Sequence, residues 1–267
     1  MAIYDCFQYF NEDHVLDLRL NILNEKVDYF VISESTKNHQ GKEKKLNFNI
    51  NNFNKFKHKI KYIVADYKKK IDFNNHSGGE SLVEQHQRNS LSEGLEGAND
   101  NDLIILSDSD EIPDLTKLNQ IKKGSKFTAF SQAMFMYKLN LQNLNESNWI
   151  GSKMSLKKNF PTPQKLRNLK FKEYPFWRFD KIGLQIIKGG WHFSFLSKPS
   201  DIAKKIKSYS HGEFNKKEIT DEKKIEEKIA NNKDIFGRDL ELKKINIDEN
   251  YPSFIRENKN ALREWIL

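Results

Sequence analysis

The chain has 267 residues, 37% of them hydrophobic and 31% charged, and carries a formal net charge of +8. That length supports one sizeable core, and its aliphatic and aromatic content offsets the entropy of ordering, which excludes a disordered chain. The single cysteine, Cys6, excludes an internal disulfide, and with no Cys/His spacing of a zinc site it points to a reducing compartment.

The surplus of lysine would suit an anionic partner. The lysines are nevertheless scattered among Asn and Ile rather than gathered in a block, so a phosphate-bearing small substrate is expected and nucleic acid is not. No apolar run approaches the roughly 20 residues that cross a bilayer, and "MAIYDCFQYFNED" is no basic leader followed by an apolar stretch. The expectation is a cytoplasmic protein without a signal peptide or transmembrane segment.

In chain order, "IYDCFQYF" (3–10) predicts a strand, and Asn11 is a good N-cap for a helix after it. Leu16, Leu20, Leu23 and Val27 recur at helical spacing and form one apolar face of that helix. "DYFVIS" (28–33) predicts a buried strand delivering Glu34, and "IKYIVAD" (60–66) a third strand ending at Asp66. The polar stretch between them, 35–56, has no clean period and is expected to be a long loop beside the active side. Ser81 with Glu84 makes a capping box opening a helix through about Glu96, after which Leu103 to Leu106 predicts the next strand.

Alternating strands and helices argue for an α/β fold, a mostly parallel sheet flanked by helices, whose ligands bind at the carboxyl ends of the strands. The second half differs. Aromatic stretches 126–141 and 181–196 predict antiparallel additions to the sheet, the second interrupted by Gly189 and Gly190, and surface helices are expected from Pro199 onward. No repeat or linker divides the chain.

"LIILSDSDEIP" (103–113) carries the chemistry. Asp108 and Asp110 are two apart, which in an extended chain puts both on one side, and like charges that close call for a cation. Mg²⁺ or Mn²⁺ suits such a pair, taking one or two carboxylates and completing its shell with water and substrate phosphates. A solvated acidic turn before Pro113 would look similar, but the apolar strand ahead of it places these acids at a crevice. Phosphatases that use an aspartate nucleophile also place D-x-D after a strand. They carry it on the first strand and follow it with Thr or Val, whereas here Glu111 and Ile112 come next, in mid-chain.

Gln85, Arg88, Asn89 and Ser92 share a helix face that is either an ordinary solvated one or a surface offering Arg88 to a diphosphate. In "GGWHFSF" (189–195), Trp191 offers a flat face, and His192 is either a core histidine or a nitrogen ligand to the same cation. Tyr137, Trp149, Trp177 and Trp191 are candidate platforms for the C–H faces of sugars, or core residues.

Together "YDCFQYFNEDHVLDLRLNIL", "VDYFVISEST", "HQGKEKKL", "QRN", "DLIILSDSDEIP" and "GGWHFSF" resemble glycosyltransferase family 17, in family order over most of residues 1 to about 200. The resemblance implies a GT-A type fold and a nucleotide-sugar donor, UDP-N-acetylglucosamine, with Mn²⁺ or Mg²⁺ as cofactor. It also implies a glycan acceptor and inversion at the anomeric carbon. It makes 1–267 a single domain, with a nucleotide-sugar-binding half (1–125), acceptor-side strands (126–200) and a helical extension (201–267). By position, Asp108 and Asp110 would hold the metal while Glu34, Arg88 and Asn89 would lie around the nucleotide; by analogy with other GT-A enzymes that use a late histidine, His192 would join the metal ligands, and Gln85, Ser109 and Trp191 are further donor-side candidates. A general base is needed for the acceptor hydroxyl. Glu111, Glu213 in "SHGEF" and His211 beside it are the candidates; Glu213 is preferred because it comes after the metal-site histidine, and Glu111 could equally orient the loop. Two rivals remain: a nucleotidyltransferase, for which "YFNEDH" lacks the glycine-rich phosphate loop, and a non-catalytic nucleic-acid-binding module.

Overall fold

The computed structural model describes residues 1–38, 41–68, 82–172, 177–178, 183–208 and 219–267. β1 (Ile3–Gln8) is buried along nearly its whole length, as a central strand covered on both faces must be. α1 (Asp13–Leu23) starts two residues after Asn11. Glu12 takes the N-cap place and folds its carboxylate back onto the N–H groups of Phe10 and Asn11. Leu16, Leu20 and Leu23 are buried on α1 as their spacing predicts; Val27, expected on the same helix face, is buried beyond the end of the helix.

β2 (Tyr29–Ser35) and β3 (Ile60–Ala65) come next, and the predicted loop between them holds a Lys37–Glu43 bridge and a 3₁₀ run, Ile50–Phe56. The helix expected to reach Glu96 is α2 (Leu82–Ser90), tightening into a 3₁₀ turn, Leu91–Leu95. Gly94 in that turn lies against β2, where a Cβ would come within 2.3 Å of Val31 Cγ1. Ser81, the expected cap, lies outside the described residues.

β4 (Leu103–Ser107) and β5 (Glu111–Pro113) bracket the acidic turn. Beyond them come β6 (Phe127–Met136), β7 (Leu141–Asn143), β8 (Trp149–Leu156), α3 (Pro163–Asn168), β9 (Leu184–Ser194) and α4 (Pro199–Ser208). α5 (Glu222–Ala230), β10 (Leu242–Lys244) and α6 (Ser253–Glu257) complete the order.

The sheet runs β10-β7-β6-β8-β4-β1-β2-β3, with β9 on β6 and β5 on β9. β4, β1, β2 and β3 are mutually parallel, which requires the crossovers that α1 and α2 supply. β8 runs antiparallel to β4 and to β6, so β6 points the same way as β4. The expectation of antiparallel additions is therefore corrected in one respect: β9 lies parallel to β6 along its length. The carboxyl ends of β1, β2, β4, β6 and β9 consequently share one side.

Glycine at 190 makes the β5–β9 contact possible. It has φ +110°, and a Cβ would sit 2.5 Å from the Ile112 carbonyl. The stretch after residue 201 is helical only in part. α4 and α5 bury Ile202, Ile206, Ile225 and Ile229 beside Met134 and Met136, while β10 returns to the sheet edge and Trp265 stacks on His14 of α1. Among the described residues no helix is long and apolar enough to cross a membrane.

Candidate functional site

Three residues, Asp108 to Asp110, turn the chain from β4 to β5 at the carboxyl edge. The Glu111 N–H donates to the Asp108 carbonyl at 3.1 Å and closes the turn. Beneath it lies Arg19 of α1, wholly buried and paired with Asp5 in the middle of β1 through Nε (2.7 Å) and Nη2 (2.6 Å). Its Nη1 donates to the carbonyls of Glu111 at 2.6 Å, Asp108 at 3.2 Å and Ser109 at 3.3 Å. A buried ion pair is tolerable only when its remaining hydrogen-bonding capacity is used, and here the acidic turn uses it.

Glu111 points inward and is fully buried. It accepts from Trp149 Nε1 (2.8 Å), from the Asp108 N–H (3.0 Å), and from Nη1 of Arg167 in α3 at 2.9 and 3.1 Å. The other arm of Arg167, Nη2, reaches Asp108 Oδ2 at 2.6 Å, and Arg88 Nη2 stands 3.6 Å from Asp108 Oδ1. Arg88 is itself fixed by Glu84 and Gln164, each at 2.6 Å. The expectation that an extended chain puts Asp108 and Asp110 on one side is corrected: the chain turns there, so Asp108 meets Arg167 while Asp110 meets His192. The β5–β9 ladder sets His192 opposite Glu111, and its Nε2 lies 3.5 Å from Asp110 Oδ1. His192 Nδ1 is buried without a hydrogen-bond partner among the described residues.

These surroundings drive the two aspartates apart. Burial opposes charge on Asp110, but His192 and then Lys205 outweigh it and hold the carboxyl well below its usual range. At Asp108 burial dominates; with Glu111 and Asp110 nearby it exceeds the pull of Arg167 and Arg88 and raises the carboxyl. Glu111 is lowered, since Arg167 and His192 overcome its burial. His192 is raised because Asp110, and then Glu111 and Asp108, overcome the burial that disfavours its charged form.

A raised histidine contributes stability that is fully present below its unfolded value, about 6.5, and is lost as pH rises through its folded value. Asp110, lowered, stays ionised throughout that window. In chelator-treated protein the melting temperature of the wild type should exceed that of His192→Gln most below about pH 6.5, with the gap closing as pH rises through the raised folded value. A gap independent of pH would mean that His192 acts by packing alone.

The donor-side candidates divide. Glu34 sits at the carboxyl edge, but its carboxylate accepts from the N–H groups of Asn47 (2.7 Å) and Phe48 (3.0 Å), from the Tyr62 hydroxyl (2.9 Å) and from Lys44. It anchors the loop after β2. The shared helix face is corrected: Arg88 turns inward, Gln85 is half-buried, and Asn89 and Ser92 are exposed. Asn89 joins α2 to α3 by accepting from the Gln164 N–H at 3.1 Å. Gln87, not among the candidates, ties α2 to the strand ends through the carbonyls of Tyr9 (3.1 Å) and Ser33 (2.8 Å).

Ser109 is partly exposed in the turn. Trp191 is half-buried, pairs with Ile112, and donates to the Asn250 carbonyl at 3.2 Å. Tyr137 is a core residue whose hydroxyl donates to Asp234 at 2.7 Å, so it offers no sugar platform. Trp149 stands in the site, its ring 5.0 Å from that of His192, and Trp177 is exposed. Asp66 is exposed and accepts from the Thr36 hydroxyl at 3.0 Å. Glu213 and His211 lie outside the described residues.

Arg19, Arg167 and Lys153 join the site without having been candidates. Lys153 of β8 donates to the carbonyls of Arg167 and, at 2.8 Å, Leu169, fixing the end of α3; burial and then Arg167 lower its ammonium to about 8. Arg19 left a signal in the sequence, a charge on the apolar stripe of α1. Arg167 left none, because only the tertiary fold brings α3 to the turn.

Among the described residues no three of His, Cys, Asp and Glu gather into a ready metal cage. Asp110 and His192 offer oxygen and nitrogen side by side, with one histidine nitrogen unpartnered, while Asp108 is turned to Arg167. That set fits a divalent cation that takes few protein ligands and leaves places for water and phosphate.

Acids, a histidine and two arginines thus gather at the carboxyl edge of the sheet, where open α/β folds bind their ligands. The sequence profile of glycosyltransferase family 17 matches residues 1–241, and the chain belongs to that family. It is a glycosyltransferase, working between a sugar donor and an acceptor. Among solved structures it is similar to a protein described as a glucose-1-phosphate thymidylyltransferase from Bacillus anthracis in complex with sucrose. That match has 11% identity and a TM-score of 0.36, covering 71% of this chain and 88% of that one. HddC from Yersinia pseudotuberculosis matches at 8% identity and a TM-score of 0.34, covering 70% and 90%. No curated protein sequence matches.

Proposed function

We propose that the protein transfers a sugar, N-acetylglucosamine, from its UDP derivative to a hydroxyl of a glycan acceptor, with inversion and with the aid of Mn²⁺ or Mg²⁺. The observation that carries this is the pairing of Asp110 with His192 beside a D-x-D turn locked from below by Arg19. A bound divalent cation supplies Lewis-acid neutralisation of the leaving diphosphate. Asp110 and His192 would hold it, with Asp108 as a third ligand once freed from Arg167. Arg88, immobilised by Glu84 and Gln164, keeps a guanidinium fixed beside Asp108 at no cost of ordering when an anion arrives. Trp149, its ring 5.0 Å from that of His192, presents ring surface beside the turn for a sugar face. The general base is assigned to the segment holding His211 and Glu213.

The test is calorimetric titration of UDP- and GDP-sugars, with and without Mn²⁺, into the wild type and Asp110→Ala. One UDP-sugar should bind with Mn²⁺, and that binding should vanish in the variant. Metal-independent binding that survives in Asp110→Ala would remove the cation from the proposal, and a preference for GDP-sugars would replace the donor.

A further inference from the structure

Arg167 has a geometry that holding a donor and a cation does not by itself require. Its guanidinium bridges two carboxylates of the acidic turn that differ in kind. Glu111 is wholly buried and held on further sides by Trp149 and the Asp108 N–H, so it cannot move without breaking several bonds. Among the described residues the Asp108 side chain is held by the two arginines, and it is 37% exposed to the crevice. Arg167 is itself 17% exposed, and α3 is pinned at its end by Lys153. The guanidinium thus has a fixed inner partner and an outer partner that a cation would claim.

The geometry points to Arg167 as a ligand exchanger: it neutralises Asp108 in the empty site, and it passes to the diphosphate of the donor when a divalent cation takes Asp108. No bond is made or broken covalently. Nη1 stays on Glu111 while Nη2, which now donates to Asp108 Oδ2 at 2.6 Å and more weakly to Glu111 Oε1 at 3.2 Å, gives up Asp108 for a phosphate oxygen. The planar fork suits this, since a guanidinium meets carboxylate and phosphate with the same donor spacing and keeps its charge throughout. The exchange also answers the electrostatic problem of the turn. Without a cation the carboxylates of Asp108 and Glu111 share Arg167; with a cation and a diphosphate, the cation covers Asp108 and the arginine is released to the incoming negative charge. The ligand is a nucleoside diphosphate, and the inference rests on the proposed UDP-sugar donor.

Arg167 then has effects of opposite sign on two ligands, which a merely structural residue does not. Mn²⁺ alone and UDP with Mn²⁺ would be titrated into the wild type, Arg167→Gln and Arg167→Lys, with melting temperatures recorded alongside. Arg167→Gln should bind Mn²⁺ alone more tightly than the wild type, because the competitor for Asp108 is gone. It should bind UDP about 10- to 100-fold more weakly at saturating Mn²⁺, the worth of one charged hydrogen-bond donor. Arg167→Lys, which keeps the charge without the fork and protects the test against a variant that fails to fold, should fall between on both counts. Equal losses for Mn²⁺ and UDP, or UDP affinity unchanged in both variants, would overturn the exchange while leaving the donor proposal intact. A wild type that takes up no UDP with Mn²⁺ would overturn the donor proposal and this inference with it.

Discussion

Arg19→Met should destabilise the protein by about 3–5 kcal/mol, the usual cost of removing one member of a buried ion pair. Both Arg19 and Asp5 are completely buried, so Asp5 would be left charged in the sheet with nothing opposite it. For a chain of this size roughly 2–4 °C of melting temperature goes with each kcal/mol, which thermal or urea melts resolve easily. A second variant separates the ion pair from the turn above it. Asp5→Leu combined with Arg19→Met replaces charge with apolar volume and should recover most of the stability. It should not recover Mn²⁺-dependent donor binding, because the carbonyls of Asp108, Ser109 and Glu111 still lack the donor that Arg19 Nη1 provides. A single variant within about 1 kcal/mol of the wild type, or a double variant with full binding, would show that the turn holds itself.

The same arginine shows what a sequence discloses. Leu16, Leu20 and Leu23 mark the buried face of α1, and Arg19 falls on that stripe, so a partner for it was implied even though its identity was not. The parallel half was legible for a related reason. β1, β2 and β4 are short, apolar runs covered on both faces, and the acids after β4 declare its carboxyl end.

The second half was less so. β8, "WIGSKMSL", carries Gly, Ser and Lys at buried places because Gln132, Ser107 and the carbonyls of α3 meet them there, and polar residues satisfied by tertiary contacts do not look like a strand. α3 had local signals, Thr162 as N-cap and Pro163 in the first turn, yet nothing in its six residues says that Arg167 will reach the turn. The direction of β9 was hidden too, since alternation in a strand does not tell parallel from antiparallel. Its placement needed Gly190, whose left-handed backbone lets β5 approach and bring His192 to Asp110.

Glu111→Gln should lower kcat/KM by about 10- to 100-fold, as expected for a lost positioning contact of one charged hydrogen bond, without altering the shape of the pH–rate profile. The amide keeps the size of the carboxylate but must present an N–H₂ to a pocket already filled with donors: Trp149 Nε1, the Asp108 N–H and both arms of Arg167. Arg167 would lose its inner anchor, and Asp108 would shift with it. Loss of a true general base has a different signature, a fall of about 10²- to 10⁴-fold and disappearance of the acidic limb of the profile. Glu111 is poorly suited to that task. It is wholly buried, both its oxygens are engaged, and Arg167 and His192 overcome its burial to hold its carboxyl below the usual range, so it neither meets an acceptor hydroxyl nor readily takes a proton. Of the two roles open to it from the sequence, orienting the turn is the one its surroundings favour. If Glu111→Gln erases the acidic limb while Glu213→Gln and His211→Gln leave it in place, the base is Glu111 after all, and the turn must open in the donor complex to expose it.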